Sequence, residues 1–170
     1  MNSHNSDFIL KVVNESAMQQ PTMTVNEYGS KIWYLNGMLH REDGPAAEYA
    51  KGTKAWYLHG MLHREDGPAV ESANGDKVWY LHGTRYREGG PAYEYADGTK
   101  EWYLHGMLHR EDGPAFEWAN GNKEWWLNDK RYKDAFEWAK ALLKSKGIKN
   151  PSEDEINNKV QQATSSSILD

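Results

Sequence analysis

Residues 56–78 read WYLHGMLHREDGPAVESANGDKV, and this stretch of 23 residues decides how the rest of the chain is interpreted. Its pattern recurs on both sides without insertion or deletion. Self-similarity at a fixed period of roughly 20–50 residues is typical of proteins whose units stack on one another. The sequence therefore predicts five copies of one unit over residues 25–133, with tryptophan 23 residues apart at Trp33, Trp56, Trp79, Trp102 and Trp125.

Each unit contains two strand-like runs separated by turn signals. Residues 54–58 alternate, which places Trp56 on one face and Tyr57 on the other. Glycine follows His59 and Asn74, and the cluster Glu-Asp-Gly-Pro at 65–68 interrupts the chain again. We expect the tryptophan column to form the structural core. We also expect a buried face at residues 70 and 72 and at their equivalents, Tyr93 with Tyr95 and Phe116 with Trp118.

The predicted fold class is mainly β, an elongated antiparallel β-meander or solenoid with a C-terminal α-helical cap. One unit is too small to bury its own aromatic side chains, so neighbouring units must stack. Strands lie about 4.8 Å apart, so two principal strands a unit give an advance of roughly 9–10 Å per repeat. Such a sheet has two open edges, which must be covered if they are not to pair with another chain.

The two ends of the sequence have the character of covers for these edges. Residues 1–24 are expected to form an N-terminal cap or partial repeat, in which 8–13 is a strand or a helical turn. Residues 134–147 carry apolar side chains at helical spacing and end at a glycine, which predicts a cap helix. On this helix Trp138 is expected to point sideways, towards a partner or a second copy of the chain. Residues 148–170 are expected to form a short helix, opened by a capping box at Ser152 and Glu155, and a flexible tail.

Composition and charge exclude several classes of function. A net charge of −5 gives no overall attraction to nucleic acid or to an anionic membrane, and the absence of cysteine rules out disulfides and thiolate metal sites. No stretch approaches the roughly 18 apolar residues of a membrane-spanning helix, and the first residues do not have the pattern of a signal peptide. We therefore expect a cytoplasmic protein without membrane insertion.

The repeats resemble those of a known family. Residues 95–109, YADGTKEWYLHGMLH, are similar to MORN repeats in their 23-residue period, their aromatic-x-Asp-Gly turn and their W-x-x-x-G segment. The usual Gly-x-Gly of that family is replaced here by Asp-Gly-Pro-Ala, so the chain resembles a divergent branch, of the kind found in large phages and giant viruses. The resemblance implies an elongated β-meander, contacts with protein or lipid, and no chemistry. It also suggests action in a host cytoplasm, on a host protein such as one of a defence system.

Two columns of histidine and acidic residues are candidates for metal binding or acid–base chemistry. His40, His63 and His109 share one column, where Tyr86 and Tyr132 occupy the third and fifth units. A column shared by histidine and tyrosine favours structural packing over metal binding, catalysis or partner contact. Histidines 59, 82 and 105 lie in the adjacent turn, where asparagine also occurs, and the carboxylates at 42 and 43 are more typical of turn capping than of calcium binding. We predict no catalytic residue, no metal and no cofactor.

Cationic and aromatic columns supply the candidate binding residues. Arginine and tyrosine could together hold phosphates and bases, although neighbouring glutamates could instead pair with the cations. The candidates are Arg41, Arg64, Arg87, Arg110, Tyr34, Tyr57, Tyr80, Tyr103 and Trp138, beside a lysine column at 31, 54, 77, 100 and 123.

The sequence thus predicts a non-catalytic binding module whose repeat surface engages a protein partner. Binding of a nucleotide-like small molecule or of nucleic acid through the cationic and tyrosine columns is the second interpretation, and an enzyme is the third. A homo-oligomer through a sheet edge or through the C-terminal helix remains open.

Overall fold

The computed structural model describes residues 20–165 and is mainly β, with two helices at the C-terminal end. The predicted fold class is confirmed. The segment 8–13, expected to cover the first edge, lies outside the described residues. Strand β1 (Thr22–Val25) pairs antiparallel with β2 (Lys31–Leu35), and all four of its residues are exposed.

Each full unit contributes short strands to a main sheet and to a hairpin beside it. The main sheet also contains β4 (Ala47–Glu48), β5 (Lys54–Ala55), β8 (Val70–Glu71), β9 (Lys77–Val78), β12 (Tyr93–Glu94), β13 (Lys100–Glu101), β16 (Phe116–Glu117) and β17 (Lys123–Leu127). The hairpin strands are β3 (Met38–Leu39), β6 (Tyr57–Leu58), β7 (Met61–Leu62), β10 (Tyr80–Leu81), β11 (Thr84–Arg85), β14 (Tyr103–Leu104), β15 (Met107–Leu108) and β18 (Lys130–Tyr132). Neighbouring strands of the main sheet are antiparallel in the order β1-β2-β4-β5-β8-β9-β12-β13-β16-β17-β18.

In the three inner units the tryptophan is the residue at which the chain leaves the main sheet. The expected single strand over 54–58 is therefore wrong, because it is interrupted at Trp56. The Trp56 N–H donates to the Ala69 carbonyl across the main sheet, and its own carbonyl accepts from the His63 N–H in the hairpin, at 2.8 and 3.0 Å. One residue thus bonds to both parts of its unit.

The hairpins turn at the dipeptides that the sequence indicated. His59 has φ of 50° and Gly60 has φ of 79°, and the other four units show the same pair of positive angles. Two successive residues with positive φ define a tight turn whose twist matches that of the flanking strands. Asparagine or histidine stands first in each turn, in agreement with the predicted structural role of this column.

The aromatic core of each unit is a tryptophan ring covered by an arginine. The Arg64 guanidinium carbon lies 4.1 Å from the Trp56 ring centre, and the other full units repeat this stacking at 3.9–4.2 Å. Trp102 and Trp125 are buried, as predicted. Trp33, Trp56 and Trp79 are only partly buried, because a guanidinium, with its edge in solvent, covers them in place of an apolar side chain.

The glycine of each Gly-Pro-Ala segment makes room for that arginine. A Cβ atom built on Gly67 would lie 2.9 Å from the Arg64 guanidinium carbon, and Gly44, Gly90 and Gly113 meet their own arginines at 2.9–3.1 Å. The backbone here does not require positive φ. Glycine is therefore needed for close packing against the guanidinium.

A helical cap closes the C-terminal end, as the sequence predicts. Helix α1 (Ala135–Ser145) begins after Asp134, whose side chain accepts the Glu137 N–H at 2.9 Å, and the chain turns at Gly147 with φ of 97°. Helix α2 (Glu153–Ser165) begins with the expected capping box, because Ser152 and Glu155 bond each other. It buries Ile156 and Ala163 in the C-terminal core, and so it is longer and more firmly packed than predicted.

The expectation that Trp138 reaches a partner is wrong. Its side chain is 0% exposed, its ring centre lies 4.7 Å from that of Trp125, and its Nε1–H donates to the Arg110 carbonyl at 3.2 Å. Trp138 and Leu142 are four residues apart and share one helix face, which is the face that covers the last unit. Trp138 is thus a core residue that anchors the cap.

Two tryptophans of the fourth unit should differ in their contribution to stability. Trp102→Ala removes a buried ring and its arginine partner, and should lower the free energy of unfolding by about 3–5 kcal/mol. Trp118→Ala removes a ring that is 44% exposed and should cost less than about 1 kcal/mol. Chemical denaturation measures both values. Equal losses would show that the arginine-covered ring is not the core.

The cap can be tested by truncation. Deleting residues 134–170 removes the helices that cover Trp125 and Leu127, and should cause concentration-dependent association because apolar side chains and a sheet edge become exposed. Deleting only 148–170 retains α1 and should leave a folded monomer. Light scattering distinguishes the two, and a monomeric, fully stable product of the longer deletion would contradict the role of α1 as a cap.

Candidate functional site

The main sheet separates charged side chains from tyrosines. On one face, lysines and glutamates are cross-strand partners from Lys31↔Glu48 at the first unit to Glu117↔Lys123 at the last. Opposite charges placed in this way attract each other across the strands. The predicted pairing of lysine with glutamate is thus present, and it leaves no uniform basic stripe along this face.

The arginine column lies on this charged face and is already engaged. The Arg64 Nε–H donates to Asp66 at 2.8 Å, and its Nη1–H groups donate to the Pro68 carbonyl and to Glu71 at 3.2 and 2.9 Å. Arg41, Arg87 and Arg110 make the equivalent bonds to proline, and each pairs with its glutamate at 3.5 Å or less. These four candidate binding residues are therefore built into the repeats.

The tyrosines lie on the opposite face, away from the arginine column. The expectation that both columns share one surface is wrong, because alternation places Tyr103 beside Glu101 and Trp102 beside Arg110. We call this surface the tyrosine face. It consists of Tyr34, Tyr49, Tyr57, Tyr80, Tyr93, Tyr95, Tyr103, Phe116 and Trp118.

Three aromatic side chains of the tyrosine face are well exposed. Tyr34, Tyr49 and Trp118 are 38%, 43% and 44% accessible. The prediction of a buried face at Trp118 is therefore wrong, although its ring packs against Phe116 with the ring centres 4.5 Å apart. Trp118 stands where the strand ends, and its outer surface is open to solvent.

A polar cluster holds the middle of the tyrosine face in place. The buried Glu101 carboxylate accepts hydrogen bonds from the hydroxyls of Tyr95 and Tyr103, at 2.6 and 2.5 Å. Arg85 donates to the hydroxyls of Tyr80 and Tyr103, at 3.1 and 2.9 Å. Tyr93 stacks on Tyr95 with the ring centres 3.9 Å apart. The rings are thus fixed by bonds at their polar ends.

These contacts change the acidity of the phenols. Partial burial, followed by the hydrogen bond to Glu101, raises the pKa of Tyr103 to about 12. The same two causes raise the pKa of Tyr95 well above its usual range. Both phenols therefore remain protonated donors over all ordinary conditions.

The histidine column has the structural role that the sequence favours. His40 and His63 are buried, and the Nδ1 of each accepts the backbone N–H of the turn residue in the next unit, at 3.1 and 3.2 Å. Their rings also pack against His59 and His82, with ring centres 4.5 and 4.4 Å apart. Each histidine thus joins one hairpin to the next.

The acidic column belongs to the same loops. The hydrogen bond from Arg64 holds the pKa of Asp66 below its usual range, and Arg41 does the same for Asp43. Glu42 and Glu65 are exposed, and each lies 3.6–3.8 Å from the Nε2 of the histidine two residues before it. Within residues 20–165, no group of three or more histidine and acidic side chains is placed to hold a metal ion.

Sequence reasoning missed two sets of residues. Arg85 and Glu101 stand where other units carry leucine and small apolar residues, so the departure from the repeat was their only signal. A second column, Ser30, Thr53, Asp76 and Thr99, accepts the backbone N–H of an alanine in the following unit at 2.8–3.1 Å. Its recurrence every 23 residues was visible, but the bond spans two units and has no local pattern.

Comparisons with known proteins give no further guide to the site. No protein-family model matches the chain, and no curated protein matches it either. Neither of the helices described has the length and apolar composition that crossing a membrane requires.

The Glu101 cluster makes a prediction about pH. Glu101→Val, which restores the type of residue found at Val78, should lower the pKa of Tyr103 towards the ordinary value of about 10. In the native protein the raised pKa adds stability that is complete below pH of about 10 and is lost as the pH rises towards 12. Ultraviolet titration of the phenolates measures the shift. Glu124→Val is the control, because Glu124 bonds Trp126 and Arg131 and no tyrosine, and identical titration curves for the two variants would contradict the assignment.

Proposed function

We propose that the protein is a non-catalytic binding module that engages a protein partner through its tyrosine face. The observation that carries this proposal is the exposure of Tyr34, Tyr49 and Trp118 on one continuous sheet face. Large exposed aromatic surface is costly to leave in water, and aromatic residues are enriched at protein interfaces and at their energetic hot spots.

The rigidity of the surface supports the same function. Tyr80, Tyr95 and Tyr103 are held by hydrogen bonds to Arg85 and Glu101, so little side-chain entropy remains to be lost on binding. Arg85 and Glu101 also break the regularity of the array and give the tyrosine face a defined centre. A partner can therefore bind at one place along an otherwise repetitive surface.

The nucleotide interpretation has less support. It required arginines and tyrosines on one surface, and they lie on opposite faces of the sheet. The arginines are moreover paired with carboxylates, which reduces their attraction for phosphate. The host and viral setting stays a prediction that rests on the resemblance alone.

The proposal predicts that the two faces differ in their effect on binding. A double variant, Tyr49→Ser with Trp118→Ser, should reduce capture of the partner from cell extract by roughly tenfold or more, since each exposed aromatic anchor contributes at least about 1 kcal/mol. Lys54→Ser with Lys123→Ser, on the charged face, should leave capture unchanged. Quantitative mass spectrometry of material retained by the immobilised proteins measures both.

Folding and site must be separated in that comparison. Circular dichroism and thermal unfolding should show both double variants folded, and a photo-cross-linking residue at position 118 should attach the partner whereas one at 123 should not. A partner that is lost with the lysine variant and kept with the aromatic variant would contradict the proposal.

A further inference from the structure

A cleft of about 320 Å³ lies where the last hairpin meets helix α1, on the side of the repeats away from the tyrosine face. Its walls include Leu127 and Tyr132 from the hairpin and Leu142 from the helix. His109 and Glu111 bring polar groups to it. The array has one such junction, so the cleft has no copy elsewhere among residues 20–165.

His109 is the buried polar group of this cleft. Its side chain is 8% exposed, and its Nε2 is enclosed and has no hydrogen-bond partner among the residues described. In earlier units the column histidine packs against a second histidine ring, whereas here the shorter Asn128 takes that place. The smaller side chain and the covering helix together leave space beside a buried ring.

Contacts at the other ring nitrogen show which one carries the proton. The Asn128 backbone N–H donates to His109 Nδ1 at 3.2 Å, as the equivalent N–H does to His40 and His63. A backbone N–H cannot reverse its polarity, so Nδ1 is an acceptor. The Asn128 side-chain amide, 2.7 Å from Nδ1, can then present its NH₂ group after a half-turn. Nε2 therefore carries the hydrogen and is a buried donor without an acceptor.

Such a donor has a preferred partner. An unsatisfied buried N–H costs about 1–3 kcal/mol, which an acceptor placed beside it recovers. The carboxylate of Glu111 lies on this side of the ring, but at 3.6 Å it is too far for a hydrogen bond. It is drawn away by Lys146, whose Nζ lies 2.8 Å from the other carboxylate oxygen. This side of the ring thus already faces a carboxylate, but one that does not reach it.

The charges around the cleft favour an anion. Lys146 neutralises Glu111, and Lys130, which also lines the cleft, has its Nζ over the Tyr132 ring at 5.1 Å from the ring centre. One positive charge therefore remains unbalanced among these groups. The rest of the lining, Leu127, Ala141 and Leu142, is apolar.

We propose that this cleft is a binding site for a small monocarboxylate with an apolar body. The carboxylate accepts the hydrogen bond from His109 Nε2 and lies near Lys130, and the apolar part packs against Leu127 and Leu142. Glu111 and Lys146 are both about half exposed and can rotate to admit the ligand. The site is independent of the tyrosine face and of the proposed protein partner.

The test uses benzoate as the probe and benzyl alcohol as its neutral counterpart, both titrated into the full chain. We expect benzoate to bind with a dissociation constant in the millimolar range or below, and to shift the ring-nitrogen NMR signals of His109 and not those of His63. A dissociation constant of roughly 1 mM corresponds to the modest energy that a ligand of this size can provide.

Matched variants separate the site from the fold. His109→Phe and His63→Phe each remove the same acceptor for a turn N–H, but only the first removes the buried donor of the cleft. His109→Phe should weaken benzoate binding roughly tenfold or more, as expected for a lost hydrogen bond to a charged group, and His63→Phe should change it less than about twofold. Should His109→Phe fail to fold, Lys130→Ala, on an exposed residue, should weaken benzoate and not benzyl alcohol.

Three outcomes would overturn the proposal. They are equal affinity for benzoate and benzyl alcohol, equal weakening by the two histidine variants, and no binding up to about 10 mM. The double variant Tyr49→Ser with Trp118→Ser should bind benzoate normally, so failure here and failure of the proposed function can be told apart.

Discussion

The structure depends on the stacking of an arginine on a tryptophan in each full repeat. The guanidinium covers an aromatic ring that no apolar neighbour covers, and it bonds the proline carbonyl and a glutamate of its own unit. Because glycine leaves the space beside it, the loop Asp-Gly-Pro folds tightly around the cation. A thin sheet can in this way form a core without a second layer of aliphatic side chains.

This arrangement also decides which surface is available for function. The arginines and glutamates compensate one another inside the charged face, so that face offers little unpaired charge. The tyrosines are left on the other face, where only some of them are covered. Stability and binding are therefore assigned to opposite sides of the same strands.

Much of the fold could be predicted from the sequence, because its determinants are local or periodic. The 23-residue period gave the units, the His-Gly and Asn-Gly dipeptides gave the hairpin turns, and Asp134 and Gly147 gave the limits of the cap helix. The burial of Trp138 was missed, although its spacing from Leu142 places the two on one face. The exposure of Trp118 was missed because alternation shows which side a residue faces and not whether anything covers it.

The candidate site was less predictable than the fold. Assigning arginines and tyrosines to one surface followed from their closeness in each unit, but the chain crosses from sheet to hairpin at the tryptophan, and contacts on either side of that point decide the face. Glu101 and Arg85 could be seen only as departures from the repeat. Their partnership with four tyrosines is a property of three neighbouring units together.

The bonds that join one unit to the next have a consequence for how such a chain can change in length. The histidine column reaches a backbone N–H 19 residues ahead, and the column of Ser30 and Thr53 reaches one 20 residues ahead. Gain or loss of a single residue within a unit would displace both acceptors at once. Duplication or removal of a complete unit would restore every bond, so the gene can lengthen or shorten the rod in whole steps while selection removes intermediate lengths.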